Sequence, residues 1–459
     1  MSYSHRNVLD LIGETPLVRT HALDTGRCEL FLKLESHNPG GSIKDRIGLS
    51  MIRAAEARGE LKVGSTLVEA TAGNTGLGLA LVAAQKGYKL ILVIPDKMSR
   101  EKVFHLRALG AEVVMTRSDV GKGHPAYYQD LAESIARKTP DSYYVNQFAN
   151  PANPFAHETT TGPELFAQTG GKLDAVVCGV GSGGTLTGLS RFFAKTAPDV
   201  EMVLADPVGS ILANFVKHGT IGEAGSWLVE GIGEDFLPPL LDLSRVRTAY
   251  SIDDAQSLET ARELLRREGI LAGSSSGTLV AAALAYCREQ SAPKRVVTFV
   301  CDSGNKYLSK QFNDNWMTDQ GLRRTERFGD LRDLLTRRFA EGAVISVAPK
   351  DLLTVAYARM RAHDISQVPV LDGDRLVGLL DESDLLTAIG DDPQAFRRTC
   401  DRVMITELET VSPHAVPRDV LPILNSGKVV IVADANGFYG LVTRVDVLNH
   451  LRKQQNAAA

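Results

Sequence analysis

From about residue 66 to residue 300 the chain repeats one pattern: a short, uninterrupted apolar run, then a stretch with helical periodicity. "TLVEA" leads through "TAGNTG" into "LGLALVAAQKGY". "KLILVIPD" precedes "SREKVFHLRALG", and "AEVVMT" follows. "LDAVVCGVG" precedes "TLTGLSRFFAKT", with "VEMVLADP" after it. A strand with one wet face would alternate apolar and polar residues. These runs do not alternate, so both faces are expected to be covered, as in parallel strands between helices. The fold class that satisfies this is α/β. In such folds ligands lie beyond the carboxyl ends of the strands, so chemistry is expected on the strand-to-helix loops.

The 459 residues allow two to four domains, with cores of ordinary size. Apolar content of 44% and charged content of 23% are those of a soluble globular protein. A formal net charge of −4 gives no reason to expect nucleic acid or an anionic membrane as partner. The opening "MSYSHRNVLD" has no apolar core, so no secretory signal is expected. "LGLALVAA" and "TLVAAALAYC" are too short to span a bilayer. Cysteines 28, 178, 287, 301 and 400 are odd in number and scattered. That pattern fits a reducing cytoplasm and argues against a disulfide framework or a structural metal site.

Four loops stand out. In "NPGGSIKDR" (38–46), Lys44 follows Gly40, Gly41 and Ser42. The helical "IGLSMIRAAEARG" comes next, with Ile47, Met51, Ile52 and Ala55 on one side. The glycines are expected to give room for a planar ligand. A lysine held at a helix start and partly desolvated can serve as nucleophile and base. Asp45 and Arg46 read as residues that fix the turn. "GVGSGGT" (179–185) lies between strand and helix, where bare N–H groups and the helix N-terminus bind phosphate. Gly179, Gly181 and Gly184 also match a dinucleotide fingerprint, with Asp206 about 20 residues on as its acid. "ATAGNTG" (70–76) reads either as a donor nest for a carboxylate or as a capping turn. "AGSSSGT" (272–278) is a further small-residue turn before a helix. NAD needs one phosphate loop and no lysine. Pyridoxal 5′-phosphate needs a lysine for its aldehyde, a phosphate cradle, and partners for its ring nitrogen and 3′ oxygen. Four loops of these types together favour pyridoxal phosphate.

The character of the chain changes after "NDNWM" (313–317). Residues 318–338 carry six arginines interleaved with acids and read as a solvated linker helix. Glu326, Asp330 and Asp333 break up any basic field that nucleic acid would need. Beyond lies an internal repeat. "VPVLDGDRLVGLLDESDLL" aligns without gaps on "VVIVADANGFYGLVTRVDVLN", placing Gly378 over Gly440 and Asp384 over Asp446. Each unit reads strand, turn, strand, helix, so the pair should form a pseudo-symmetric α+β module.

"NPGGSIKDR", "EATAGNTGLGLA", "QFANPANPFAHETTTGPE", "GVGSGGTLTG" and "GILAGSSSGT" occur in this order over about 300 residues. Together they resemble the β-family (fold type II, tryptophan synthase β-like) of pyridoxal-phosphate enzymes, in the branch of cysteine synthase and cystathionine β-synthase. "EGIGEDFLPPLLD" and "DSGNKYLSKQFNDNWM" resemble the cystathionine side of that branch, and the repeat resembles a tandem CBS (Bateman) module. The resemblance implies a catalytic domain over 1–317, the linker, and a module over 339–459 with motifs at about 339–395 and 399–453.

It also implies roles. Lys44 binds the cofactor covalently and moves protons. Asn74 bonds the 3′ oxygen. Gly181, Ser182, Gly183, Gly184 and Thr185 hold the phosphate, and Ser275 faces the ring nitrogen. Thr71, Ala72, Thr75 and Gln147 hold the substrate carboxylate. The loop Gly231 to Gly233, with Phe236, flanks the second substrate. A hydroxyl opposite the ring nitrogen makes a weak electron sink, which suits β-elimination.

The implied reaction condenses L-serine with L-homocysteine to L-cystathionine, with cysteine as a further substrate that would release hydrogen sulfide. Cysteine synthase, using O-acetylserine and sulfide, is the alternative enzyme. An adenine-nucleotide sensor without catalysis is the alternative of another class. No haem is expected, because only a few residues precede "LIGETPLV". In the module, "GLVTRVD" places Thr443 and Asp446 on a G-x-x-T-x-x-D nucleotide pattern. "GLLDESD" keeps Asp384 but has Asp381 where the hydroxyl belongs. One site for an adenosyl ligand (S-adenosylmethionine or an adenine nucleotide) or a purely structural module follows from this. A homodimer or higher homo-oligomer is implied.

Overall fold

The computed structural model describes residues 7–458 except 72, 97, 324–327 and 393, and, of residues 391 and 453–458, the backbone alone. It divides into two compact units, residues 1–313 and 314–459.

The first unit is built on two sheets. The larger contains β1 (Leu17–Arg19), β2 (Glu29–Lys33), β7 (Ala175–Gly179), β8 (Glu201–Pro207), β9 (Val246–Ile252) and β10 (Arg295–Phe299), in the order β1-β2-β10-β7-β8-β9. The smaller contains β3 (Thr66–Ala70), β4 (Lys89–Pro95), β5 (Glu112–Thr116) and β6 (Ser142–Tyr144), in the order β5-β4-β3-β6. All pairings are parallel except β1 with β2. The apolar runs read from the sequence are these strands, and in β3 all five residues are buried. One feature the local pattern did not show is that β2 pairs with β10, joining residues 29–33 to 295–299.

Each sheet has its own core. Leu32, Val177, Leu204 and Val297 belong to one, and Ile47, Leu67, Leu79 and Leu92 to the other. Full burial of each such side chain contributes about 1.5–3 kcal/mol. The helices Lys44–Ala57 and Asn74–Lys86 cross closely, because a Cβ at Gly78 would lie 2.7 Å from the Lys44 carbonyl oxygen. That crossing sets Lys44, the first residue of its helix, against Gly78, one turn beyond Asn74 at the start of the other.

Two expectations about the Lys44 loop change. The bareness of Gly40 serves the loop itself: its N–H donates to Asp45 Oδ2 at 2.5 Å, and a Cβ there would meet Asp45 Oδ1 at 2.5 Å. Asp45 therefore does pin the turn, and burial raises its pKa to about 7. Arg46 does not act at the turn. It is buried and donates to Glu35 Oε2 (2.8 Å) and Glu164 Oε1 (2.6 Å), while Lys33 Nζ donates to Glu164 Oε2 (2.7 Å). This ionic cluster ties β2, the helix Lys44–Ala57 and the helix Gly162–Gln168 together.

The second unit contains both repeats. β11 (Gln367–Asp372) and β12 (Arg375–Asp381) form a hairpin before the helix Glu382–Asp391. β13 (Thr410–Val411), β14 (Val430–Asp434) and β15 (Gly437–Val442) form a sheet before the helix Arg444–Ala458. The linker helix expected over 318–338 is not formed among the described residues. The helix Asp314–Asp319 ends at once, and Gly321 and Gly329 take left-handed φ of 73° and 77°, which helices reject. Leu331, Leu334 and Leu335 are not solvated: they enter one core with Val430, Val432 and Val442.

Candidate active site

The loops singled out in the sequence meet at the carboxyl ends of β3, β7 and β10. The Lys44 backbone N–H donates to Ser42 Oγ (3.2 Å), which sets the start of its helix. Burial lowers its pKa, against opposing pulls from Cys301 and Asp302, and the Lys102 charge lowers it further. A lysine so placed has a larger share of neutral, nucleophilic amine. Cys301, just past β10, is its neighbour. Burial pushes that thiol up to about 12 in spite of the adjacent lysine, so it stays protonated. Ser275, buried near the start of the helix Ser274–Arg288, hydrogen-bonds Cys301. Lys44 and Ser275 therefore flank one thiol.

The loop after β7 is a cradle. Gly183 has φ +86° and precedes the helix Gly184–Thr196, whose first-turn N–H groups have no intrahelical partner. A Cβ on Gly184 would fall on the Asn153 side chain. Asn153 donates to Ser182 Oγ (2.9 Å) and to the Gln147 carbonyl (2.8 Å), linking the cradle to the nest before Asn74. Thr185 Oγ1 lies 3.2 Å from His157 Nε2, and His157 Nδ1 lies 2.9 Å from Thr161 Oγ1. These two residues bound a π-helical turn, His157–Thr161, a deformation frequent at functional sites. Burial holds His157 well below its usual pKa, hence neutral. Gly181 backs onto the carbonyl of Gly231, and the Gly233 N–H donates to the Val180 carbonyl (2.8 Å). The 231–233 loop thus closes over the cradle.

The residues read as a carboxylate nest are hydrogen-bonded to one another and to the backbone around them. Thr75 Oγ1 donates to Gln147 Oε1 (2.7 Å), Gln147 Nε2 donates to the Ala70 carbonyl (3.0 Å), and Thr71 Oγ1 accepts the Gly73 N–H (3.0 Å). Ala72 lies outside the described residues. Phe236 packs on Phe148, beside Gln147, with ring centroids 5.8 Å apart. Asn74 Nδ2 donates to Asp302 Oδ2 (2.7 Å), and Lys306 Nζ donates to Asn74 Oδ1 (3.0 Å).

The dinucleotide alternative loses its acid. Asp206 is turned inward, accepts the Ala213 N–H at 2.8 Å and is pushed up to about 6 by burial, so it caps a helix and meets no ribose. In the second unit Asp384 and Asp381 exchange backbone bonds of 2.8 and 2.9 Å as a capping box. Asp446 accepts both the N–H (2.7 Å) and Oγ1 (2.6 Å) of Thr443, and also the Thr336 hydroxyl. All three regulatory candidates sit in helix caps here, and Asp446 also reaches outside its repeat to Thr336.

Sequence reasoning missed Asn153, Asp302 and Lys306, and the buried Glu230, to which the buried Lys102 and the half-buried Lys310 each donate at 2.6 Å. Asn153, Glu230, Asp302, Lys306 and Lys310 lay inside stretches already singled out for their resemblance, which was the available signal.

The donor set fits pyridoxal phosphate. A glycine cradle at a helix N-terminus suits the phosphate, a desolvated lysine suits the aldehyde, and a serine and an amide suit the ring. Comparison with known proteins agrees. The family model "Pyridoxal-phosphate dependent enzyme" matches residues 8–302, and the CBS domain model matches 331–391 and 400–453. Cystathionine beta-synthase of Dictyostelium discoideum is 35% identical over 98% of this chain and 93% of its own. Cysteine synthase A of Escherichia coli (strain K12) is 44% identical over 68% of this chain and 96% of its own. The crystal structure of the O-acetylserine dependent cystathionine beta-synthase from Helicobacter pylori superposes with a TM-score of 0.63 at 36% identity, covering 67% of this chain and 99% of that one. The chain belongs to the pyridoxal-phosphate-dependent enzymes, in the cystathionine β-synthase family that carries a C-terminal pair of CBS domains.

Proposed function

We propose that this enzyme replaces the β-hydroxyl of L-serine with the thiol sulfur of L-homocysteine, giving L-cystathionine and water. The observation that carries this reading is the span of similarity. The Dictyostelium cystathionine beta-synthase match covers 98% of this chain, CBS domains included, whereas the cysteine synthase match covers 68%. Bound at the site, pyridoxal phosphate supplies an electron sink for the substrate Cα. The rest falls to the chain. Thr71, Thr75 and Gln147 hold the substrate carboxylate. Lys44 Nζ takes the Cα proton and returns a proton to the departing β-oxygen. Ser275 leaves the ring nitrogen without a counter-charge. Phe236 and the 231–233 loop shield the face from which the thiol arrives.

A second reading is favoured by the Helicobacter structure and by the higher identity to cysteine synthase A: O-acetylserine as the β-donor. Initial rates separate the two. Serine plus homocysteine should exceed O-acetylserine plus sulfide, and the reverse order would replace the first reading with the second. The Thr443–Asp446 pair is the proposed contact for an adenosyl ligand in the CBS module. Calorimetry with S-adenosylmethionine and adenine nucleotides should show heat for one of them, and silence for all would leave the module structural.

A further inference from the structure

We propose that Lys306 is a positioning residue that locks the Asn74 amide, so that its NH2 group and not its oxygen is offered to the cofactor's 3′ oxygen. This rests on the reading of Asn74 as the partner of that oxygen. Lys306 is 6% exposed and lies in the 3₁₀ turn Gly304–Tyr307. An ammonium has three N–H donors and no acceptor. Three acceptors take them: the Gly40 carbonyl (3.1 Å), the Gly41 carbonyl (3.0 Å) and Asn74 Oδ1 (3.0 Å).

The other side of the amide meets the opposite charge. Asn74 Nδ2 donates to Asp302 Oδ2 at 2.7 Å, and the Tyr307 hydroxyl, from the same turn, donates to that oxygen at 2.6 Å. Rotating the amide by half a turn would set NH2 against the ammonium and oxygen against the carboxylate. Both contacts are repulsive, so the orientation is fixed by charge. Of the two Nδ2 hydrogens, Asp302 takes one, and the second can be donated to an anionic oxygen. The ammonium also polarises that amide, which strengthens its donor end.

The charged and titratable groups facing Lys306 are Asp45, Lys102, His105 and Asp302. Burial lowers the Lys306 pKa to about 8, with Asp302 and Asp45 opposing the fall. It therefore remains mostly charged at neutral pH, and its charge favours a deprotonated 3′ oxygen.

The test is a cycle on the full-length enzyme: wild type, K306M, N74A and the double variant, with K306R as the conservative replacement. Two quantities are read. One is the apparent affinity for added pyridoxal phosphate. The other is the pH midpoint of the visible band of the bound cofactor, which reports the proton on its 3′ oxygen. K306M should weaken binding roughly tenfold and move the midpoint upward, because a positive charge is lost. K306R should restore both, and K306M should add almost nothing in the N74A background. Equal losses in the two backgrounds would overturn the proposal, leaving Lys306 as a strut for the glycine loop. If N74A alone changes neither quantity, the reading of Asn74 fails first, and that outcome is distinct. K306Q, which loses the charge and keeps two donors, is read in the same cycle if K306M does not fold.

Discussion

At the scale of single residues, the site departs from ordinary solution chemistry by burying its ionisable groups. Lys44 is the clearest case, since desolvation favours its neutral amine. Lys44→Ala should remove the covalent attachment and the proton carrier together. Turnover should fall by more than about a thousandfold, with loss of the lysine-bound cofactor absorbance. Glu69, at the end of β3, is a second case. It is fully buried, its Oε2 has no partner, and burial raises its pKa from 4.5 to about 8. The sign for stability follows. The folded state binds the proton more tightly than the unfolded state. Stability contributed at low pH is therefore lost as pH rises from about 4.5 toward about 8. Glu69→Gln keeps the shape and has no charge to gain. Urea unfolding of the two proteins should show the variant gaining on wild type by at least about 1 kcal/mol between pH 5 and pH 8. A constant difference across that range would mean that Glu69 does not titrate there. Nothing in "TLVEA" announced this residue, because a lone acid in an apolar strand is equally consistent with a solvated edge.

At the scale of elements, the apolar runs were legible because a parallel strand buried on both faces must be apolar throughout, whatever it pairs with. β3, β4, β7 and β8 could be read in that way. The pairing of β2 with β10, the Asn153 link between cradle and nest, and the Lys306–Asn74–Asp302 relay were not legible, because their partners lie far apart in sequence. Arg46 shows the same limit. Next to Lys44 it reads as a residue that fixes the turn, yet it anchors the helix Lys44–Ala57 to Glu35 and Glu164. Its removal would leave the buried Glu35 and the half-buried Glu164 short of a counter-charge. Arg46→Met should cost about 3–5 kcal/mol in the unfolding transition of the first unit. Arg46→Lys should recover only part, since one ammonium cannot donate in the bidentate manner that Nε and Nη2 of Arg46 show toward Glu35 at 2.8 Å each. A loss below about 1 kcal/mol for Arg46→Met would show that the cluster relaxes around the gap.

At the scale of the whole molecule, the change in composition after residue 317 was visible, but where the second unit begins was not. Charge density in 318–338 reads as a solvated helix, and the repeat then supplies a natural start near 339. The structure places the first compact unit's end at Asn313 and fills the supposed linker with core residues of the second. Leu331 and Leu334 are 0% and 2% exposed, against Val430, Val432 and Val442 of the second repeat. The chain thus contributes to the second motif's core before it forms the first motif. Met317, 1% exposed, lies in the helix Asp314–Asp319, which packs on the helix Arg444–Ala458. A fragment of residues 339–459 would leave those apolar faces open. Losing three buried leucines removes roughly 5–9 kcal/mol of burial, a large share of what holds a small domain together. The fragment 314–459 keeps every one of them. Expressed separately, 314–459 should unfold cooperatively in urea, and 339–459 should show a shallow transition and bind a hydrophobic dye. Two equally cooperative transitions would mean that the repeat alone carries the fold, and that residues 331–335 only cover it.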